Sequence, residues 1–109
     1  MDNILLFIGM MRRANAVAIG ADATYDTCRK RQSRLVVLAS DAGKRVASGA
    51  KSAADGVCPV IAAPYTKEQI GQAFGRAECA VFAVTNSGFA KSLTEKLNAK
   101  HRGENGTWS

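Results

Sequence analysis

The chain is poor in the residue types from which most catalytic and metal sites are built. It has one histidine and three cysteines among 109 residues, and no two cysteines stand in a CxxC spacing. That usage favours neither a disulfide framework nor a zinc site. The sequence also lacks an HExxH motif, a P-loop and a GxGxxG fingerprint, so it does not indicate the metal- and nucleotide-dependent chemistries that those motifs support.

The remaining candidates for acid–base catalysis are poorly placed for it. His101 stands in a polar segment, residues 101–109, that we predict to be a disordered tail, where a general base would lack a fixed geometry. Asp22 and Asp26 are four residues apart, but near a helix start this spacing is typical of a cap and a dipole partner. We therefore predict a protein that is not an enzyme and that uses no cofactor or metal.

The sequence also has no long hydrophobic run. No segment approaches about 18 consecutive apolar residues, the length that a membrane span requires. Near the start, a short apolar stretch precedes Arg12 and Arg13, whereas a signal peptide carries its positive charge before its apolar stretch. These patterns predict a cytoplasmic protein with no membrane partner.

What the chain does have is small aliphatic residues in short runs. The sequence is 47% hydrophobic but only 6% aromatic. Strands exposed on one face alternate apolar with polar residues, so continuous apolar runs indicate strands covered on both faces by helices. We predict an α/β fold, a single-domain three-layer αβα sandwich with a four-stranded mixed sheet over residues 1–100. The four runs are Ala16–Ile19, Leu35–Ala39, Pro59–Ala62 and Cys79–Val84.

Polar residues before three helical segments predict where those helices begin. Asp22 is the predicted N-cap of the second helix, and Ser40 or Asp41 that of the third. Thr66 and Gln69 have the spacing of a capping box, in which the hydroxyl and the amide each satisfy a backbone N–H at the start of the fourth helix.

Tyr65 has two possible roles. It precedes the capping box and, together with Ile70, occupies the positions of a hydrophobic staple. An aromatic ring in a loop is also typical of RNA-binding proteins, where it stacks on a base. The sequence favours the staple and leaves the second role open.

The charge balance indicates an anionic partner. The chain has 15 basic and 9 acidic residues, a formal net charge of +6, and nucleic acid is the first candidate. Four cations stand within six residues, at Arg29, Lys30, Arg31 and Arg34. This cluster is either a solvated helix terminus or a set of contacts to phosphate, which supply affinity without sequence choice.

Two loops complete the candidate RNA surface. They are Gly20–Thr24 and Ala62–Tyr65, which we place at one end of the sheet, each before a helix whose first N–H groups are free to bind phosphate. Small side chains in both loops let a backbone approach closely. The candidate RNA-binding residues are Gly20, Ala21, Asp22, Ala23, Thr24, Arg29, Lys30, Arg34, Ala62, Ala63, Pro64 and Tyr65.

Four further stretches stand out by their order and spacing, IGMMRRA (residues 8–14), LVVLASDA (35–42), TKEQIGQAFG (66–75) and AVTNSGFA (83–90). Taken together they resemble a known family, the kink-turn RNA-binding ribosomal-protein superfamily of L-seven-Ae and L-thirty-e. The Arg-Arg-Ala opening and the Gly-Phe-Ala-Lys start of the last helix are most similar to the short bacterial branch, the YlxQ type. The resemblance covers about residues 3–98.

The resemblance implies RNA binding without catalysis, through the loop and helix start after the first strand and the loop before the fourth helix. Kink-turn binders of this family carry Gly-x-Asn-Glu in the first loop, with a lysine three residues later. This chain keeps Gly20 but has Asp22, Ala23 and Asp26 at the Asn, Glu and Lys positions. We therefore expect weak or absent kink-turn affinity, binding of ribosomal or other structured RNA by another set of contacts, and a steep salt dependence.

Two other functions fit the same fold. One is a protein-interaction adaptor, as in the Gadd-forty-five branch, although those relatives tend to be acidic and this chain is basic. The other is an accessory subunit of an RNA-modifying enzyme, since the fold also occurs fused to methyltransferases.

Overall fold

The computed structural model describes residues 2–101, and within them five helices alternate with four strands. None of these helices is both long and apolar enough to cross a membrane. The helices are α1 (Asn3–Arg13), α2 (Ala21–Arg29), α3 (Lys44–Ala54), α4 (Lys67–Ala73) and α5 (Ser87–His101), and the strands are β1 (Val17–Ile19), β2 (Leu35–Leu38), β3 (Val60–Ala62) and β4 (Val81–Val84).

The four strands form one mixed sheet in the order β1-β4-β2-β3. Strand β4 is antiparallel to both of its neighbours, and β2 and β3 are parallel, so β1, β2 and β3 all run in the same direction. Every residue of the two central strands, β2 and β4, is buried. This burial on both faces is the physical reason for their continuous apolar sequences.

Helices cover both faces of the sheet, which confirms the predicted αβα sandwich. Helices α1, α4 and α5 pack on one face, where Phe74 and Phe82 meet edge to face with ring centroids 5.1 Å apart. Helices α2 and α3 pack on the other face against smaller side chains, among them Ala50, Ala54 and Ala83. The small residues let these two helices lie close to the sheet.

Two of the predicted helix caps are wrong. Helix α2 has Gly20 as its N-cap, with φ at 95°, and Asp22 lies in its first turn. Helix α3 begins only at Lys44 after Gly43, because Ala39 to Ala42 form a turn first. The Asp41 carboxylate instead accepts the backbone N–H of Lys67 at 2.8 Å, so it caps α4.

The capping box is confirmed. The Thr66 hydroxyl accepts the N–H of Gln69 at 3.2 Å, and the Gln69 side chain accepts the N–H of Thr66 at 2.9 Å. Tyr65 and Ile70 are both buried in the core beneath α1, α4 and α5, as a hydrophobic staple requires.

Helix α5 extends one residue into the segment predicted as a tail. His101 is its last residue, and the imidazole Nε2 lies 2.9 Å from the carbonyl oxygen of Ala62. The rest of the predicted tail, residues 102–109, lies outside the described residues, and the boundary between domain and tail stays a prediction.

Candidate nucleic-acid interface

The strand directions divide the molecule into two ends. At one, β1, β2 and β3 finish and β4 begins. We call this the loop end: residues 20–24, 39–45, 62–69 and 78–80, with Asp2 and Lys100 at the adjoining termini of α1 and α5. Backbone hydrogen bonds from Gly20 to Val81 at 3.0 Å and from Ala63 to Leu38 at 2.8 Å hold it together. Both predicted loops therefore lie at the same end.

The first loop presents backbone and small side chains. Around the start of α2, Gly20, Ala21 and Ala23 are half-buried and Asp22 is exposed. Thr24 is fully buried, and its hydroxyl points to the carbonyl oxygen of Ala18 at 3.5 Å. Thr24 therefore supports the loop from inside and is not available to a ligand.

The second loop alternates exposed and buried residues. Ala62 and Pro64 are exposed, whereas Ala63 and Tyr65 are buried. The Tyr65 hydroxyl donates to Asp2 at 2.6 Å. Burial, followed by the hydrogen bond to the Asp2 carboxylate, raises the pKa of Tyr65 above its ordinary value. With 4% of its surface exposed, the ring fills the staple position and is not free to stack on a base.

Asp2 fastens the second loop to two helices. Its carboxylate caps α1 by accepting the N–H of Leu5 at 2.9 Å and lies 3.8 Å from the Lys100 ammonium on α5. Burial raises the pKa of Asp2, but the hydrogen bonds from Tyr65 and Leu5 and the charge of Lys100 outweigh it, so the pKa lies below its ordinary value. The loop is thus held rigidly before any ligand arrives.

The end of the connection from α4 to β4, residues 78–80, also belongs to the loop end, which sequence reasoning missed: the N–H of Cys79 donates to Lys67 at 2.8 Å. A Cβ at Gly71 would collide with the backbone of Glu78, so the glycine lets this connection pack closely on α4. The side chains of Arg76 and Glu78 are exposed. Burial raises the pKa of the Cys79 thiol, and hydrogen bonds with the backbone of Val81 and Gly20 and the charge of Arg76 oppose this shift. The sequence signal that could have found this connection was the helix stop at Gly75, which leaves five residues before β4 begins.

The structure separates the predicted cationic residues from the loops. The N–H of Arg34 donates to Val84, the last residue of β4, at 2.7 Å, so this cluster lies at the opposite end of the sheet. Helix α2, nine residues and roughly 13 Å long, stands between the two. The twelve predicted residues thus do not form one site. We call the opposite end the basic end and define it by its exposed cations Arg12, Arg13, Arg29, Lys30, Arg31, Arg34, Lys51 and Lys91.

Two cations of the basic end share a carboxylate. Asp26 lies 3.2 Å from Arg29 and 3.0 Å from Lys30. The hydrogen bond and charge of Lys30, followed by those of Arg29, lower the pKa of Asp26 below its ordinary value. Arg31 adopts the left-handed conformation, with φ at 56°, and its guanidinium donates to the carbonyl oxygen of Gly56 at 3.3 Å.

Neither metal binding nor thiol chemistry is indicated in the part of the chain that the structure describes. Among residues 2–101, no group of three or more His, Cys, Asp or Glu side chains is arranged to hold a metal ion. The Ser33 hydroxyl lies 3.3 Å from the sulfur atoms of both Cys28 and Cys58. Burial raises the pKa of the Cys58 thiol, which keeps it protonated and a poor nucleophile.

Comparison with known proteins gives one curated relative and two structural neighbours of note. No protein-family model matches the chain. It is 32% identical over 95 residues to the RNA-binding protein YlxQ of Bacillus subtilis (strain 168), covering 84% of this chain and 91% of the relative. A protein of unknown function from Bacillus halodurans has a TM-score of 0.83 at 24% identity, covering 90% of this chain and 99% of that one. The 15.5kD RNA binding protein of Giardia lamblia has a TM-score of 0.63 at 17% identity, covering 87% and 84%. Both neighbours share the fold.

Proposed function

Because the chain belongs to the kink-turn RNA-binding ribosomal-protein superfamily, within it to the YlxQ-type branch, we propose that it is a non-enzymatic protein that binds RNA through its loop end. Its target is ribosomal or another structured RNA in the cytoplasm. The observation that carries this proposal is the placement of the Gly20–Ala23 loop and the Ala62–Pro64 loop at the same end of the sheet.

The loop end has the properties of an RNA-contacting surface. Backbone at Gly20 and Ala21 is accessible because no large side chain covers it, and α2 offers its first N–H groups there. The hydrogen bonds of Asp2 and Tyr65 preorganise the second loop, which reduces the entropy lost on binding.

Kink-turn recognition is not part of the proposal. Asn and Glu side chains in this family read the edges of sheared G·A pairs, and Asp22 and Ala23 stand in their places. An alanine has no hydrogen-bonding group for a base edge. Asp26, at the position of the family's lysine, brings a negative charge toward the phosphates. The RNA target is therefore read through backbone, shape and phosphate contacts.

Filter binding across about 50–200 mM salt tests the proposal, with ribosomal RNA and a kink-turn RNA as the two probes. We expect binding of ribosomal RNA at the low end of the range and no preference for the kink-turn over the same RNA with its G·A pairs disrupted. Ala21→Glu/Pro64→Glu places two carboxylates on the loop end and should weaken ribosomal RNA binding by about tenfold or more.

The matched control is Ser48→Glu/Lys96→Gln, which lowers the net charge by the same two units at exposed positions on α3 and α5 and should leave the affinity within about twofold of wild type. Failure of the wild-type chain to bind ribosomal RNA at low salt would overturn the proposal. A partner protein that stays bound after nuclease treatment, in place of RNA, would support the adaptor function instead.

A further inference from the structure

The net positive charge of the protein is confined to one end. The basic end has eight exposed cations and two carboxylates, Asp26 and Asp55, and thus a net charge of +6, equal to that of the whole chain. The loop end has four cations and five carboxylates, a net charge of −1. These are Lys44, Arg45, Lys67 and Lys100 against Asp2, Asp22, Asp41, Glu68 and Glu78. The salt-dependent attraction for a polyanion therefore originates at the basic end.

The fold explains how the cations come together. Helices α1, α2 and α3 all end there, and α5 begins there. The N–H of Thr85 donates to Ala16 at 2.8 Å, which places the end of α1 beside the end of β4, and Arg31 reaches Gly56 after α3. Cations at helix C-termini suit the helix dipole. That effect accounts for the cations at the ends of α1, α2 and α3. It does not account for Lys91, which lies near the start of α5, or for Arg34, which follows α2 outside any helix.

Most of these cations are available to a partner. Among residues 2–101, Asp26 is the only carboxylate within 4.0 Å of any basic-end cation, and it pairs with Arg29 and Lys30 alone. The Arg34 guanidinium contacts a backbone carbonyl oxygen, that of Arg31 at 3.4 Å. Guanidinium groups that face solvent in this way present their donors to phosphate oxygens.

A single RNA backbone running from one end to the other along α2 is disfavoured. Such a path would pass Asp22 and then Asp26 on the same helix face before it reached Arg29. Each carboxylate repels phosphate at close range. The two ends are thus suited to two separate segments of RNA.

We propose that the basic end is a second RNA-contact surface, which binds the phosphates of a helical segment while the loop end holds another, so that one molecule bridges two RNA segments. The inference rests on the proposed function for the loop-end segment only. Phosphate contacts of this kind carry no sequence choice, so the second segment is recognised by charge and helical form.

The first test measures binding to a blunt RNA duplex of about 20 base pairs without loops, across about 50–200 mM salt. Arg29→Ala/Lys30→Ala/Arg34→Ala removes three cations of the basic end, and Ser48→Glu/Lys96→Glu lowers the net charge by the same three units at exposed positions outside both ends. Both variants have the same formal net charge. We expect the slope of log K against log salt to fall by roughly 3 in the first and by less than about 1 in the control. Equal slopes would overturn the proposal.

Asp26→Asn tests the same surface through an expected gain in duplex affinity. It removes the carboxylate that pairs Arg29 and Lys30, so duplex binding should tighten and become more salt-dependent. Unchanged duplex binding would count against the proposal, as would equally tight binding to vesicles of phosphatidylserine and phosphatidylcholine in equal parts, which would indicate a membrane surface.

The second test detects bridging. Biotinylated ribosomal RNA on beads is saturated with protein and then offered the labelled duplex. Wild-type protein should retain the duplex, and the Arg29/Lys30/Arg34 variant should bind the beads without retaining it. Gel filtration must show a monomer, because retention through a dimer would contradict bridging by one molecule.

The outcomes separate this inference from the proposed function. Binding of ribosomal RNA without the duplex would overturn the second surface and leave the proposed function intact. Binding of the duplex by the basic end, together with ribosomal RNA affinity unchanged by Ala21→Glu/Pro64→Glu, would overturn the loop-end site and bridging, and would leave the basic end as the one RNA surface.

Discussion

Asp2 shows how one residue, outside the two loops, organises the candidate RNA surface. Its carboxylate joins the start of α1, the Tyr65 hydroxyl and the Lys100 ammonium, and thereby fixes the loop that carries Ala62 and Pro64. Because the pKa of Asp2 is lowered in the folded protein, the ionised carboxylate stabilises the fold above its unfolded pKa of about 3.9. This contribution is lost as the pH falls through the folded pKa.

Asp2→Asn should lower the free energy of unfolding at neutral pH, and in acid the variant and wild type should become equally stable. Asparagine still caps α1, so the loss at pH 7 is that of the charged contacts, about 0.2–1 kcal/mol for a carboxylate that is 41% exposed. The stability difference from wild type should shrink as the pH falls from about 5 toward 2. Urea unfolding at pH 7, 5 and 3 measures it.

Tyr65→Phe is the companion variant, since it removes the same hydrogen bond from the other partner. Its stability difference from wild type should also diminish in acid. Differences that stay constant between pH 7 and 3 in both variants would show that Asp2 does not act through its charge.

At the scale of elements, the ends of helices decide where the chain turns. Helices α1, α2 and α4 each end with a residue in the left-handed conformation, at Asn15, Arg31 and Gly75. After each of these three ends, backbone N–H groups bond back to carbonyls of the last turn, as Arg76 does to Gly71 at 2.8 Å. Arginine is the least suited of the three, because its Cβ is strained there.

Arg31→Gly should therefore stabilise the fold by about 0.5–1 kcal/mol, since glycine adopts a positive φ without strain. The lost hydrogen bond to Gly56 is exposed and contributes little. A domain of this size gains roughly 4–8 °C in Tm per kcal/mol, which thermal unfolding followed by circular dichroism resolves.

Arg29→Gly is the matched control, because the same substitution two residues earlier replaces the last helical residue of α2. There glycine costs up to about 1 kcal/mol in helix propensity and removes the ion pair with Asp26, so the Tm should fall. If Arg31→Gly also lowered the Tm, the side-chain contact of Arg31 would outweigh its backbone strain.

The elements were predictable where local sequence decides them, and not where tertiary contacts do. The runs around Leu35 and Val84 indicated the central strands because both faces are buried, and Thr66 and Gln69 bond within one turn. Asp41 precedes α3 in sequence, but its partner Lys67 is 26 residues away. The same limit applies to the candidate site. Its two loops were predicted to lie together, but the placement of Arg34 at the far end follows from its bond to Val84.

At the scale of the whole molecule, the fold of the family is retained, and the two ends of its sheet differ in charge. The fold superposes on the Giardia lamblia 15.5kD RNA binding protein with a TM-score of 0.63. In this shared fold, Asp22, Ala23 and Asp26 lie at the start of α2, where the sequence resemblance places the Asn, Glu and Lys of the family's kink-turn binders. At this loop the chain therefore differs from those binders in three side chains and not in its fold.

If that is so, Asp22→Asn/Ala23→Glu/Asp26→Lys should confer kink-turn binding on this chain. The three positions are exposed or half-buried on α2, so the fold should tolerate them. We expect about tenfold or tighter binding to a kink-turn RNA than to the same RNA with its G·A pairs disrupted. Asp26→Lys alone is the control, because it adds phosphate affinity without base contacts and should tighten both RNAs equally. Filter binding at one salt concentration compares them. No discrimination by the triple variant would mean that the geometry of the loop end, and not only its side chains, has diverged.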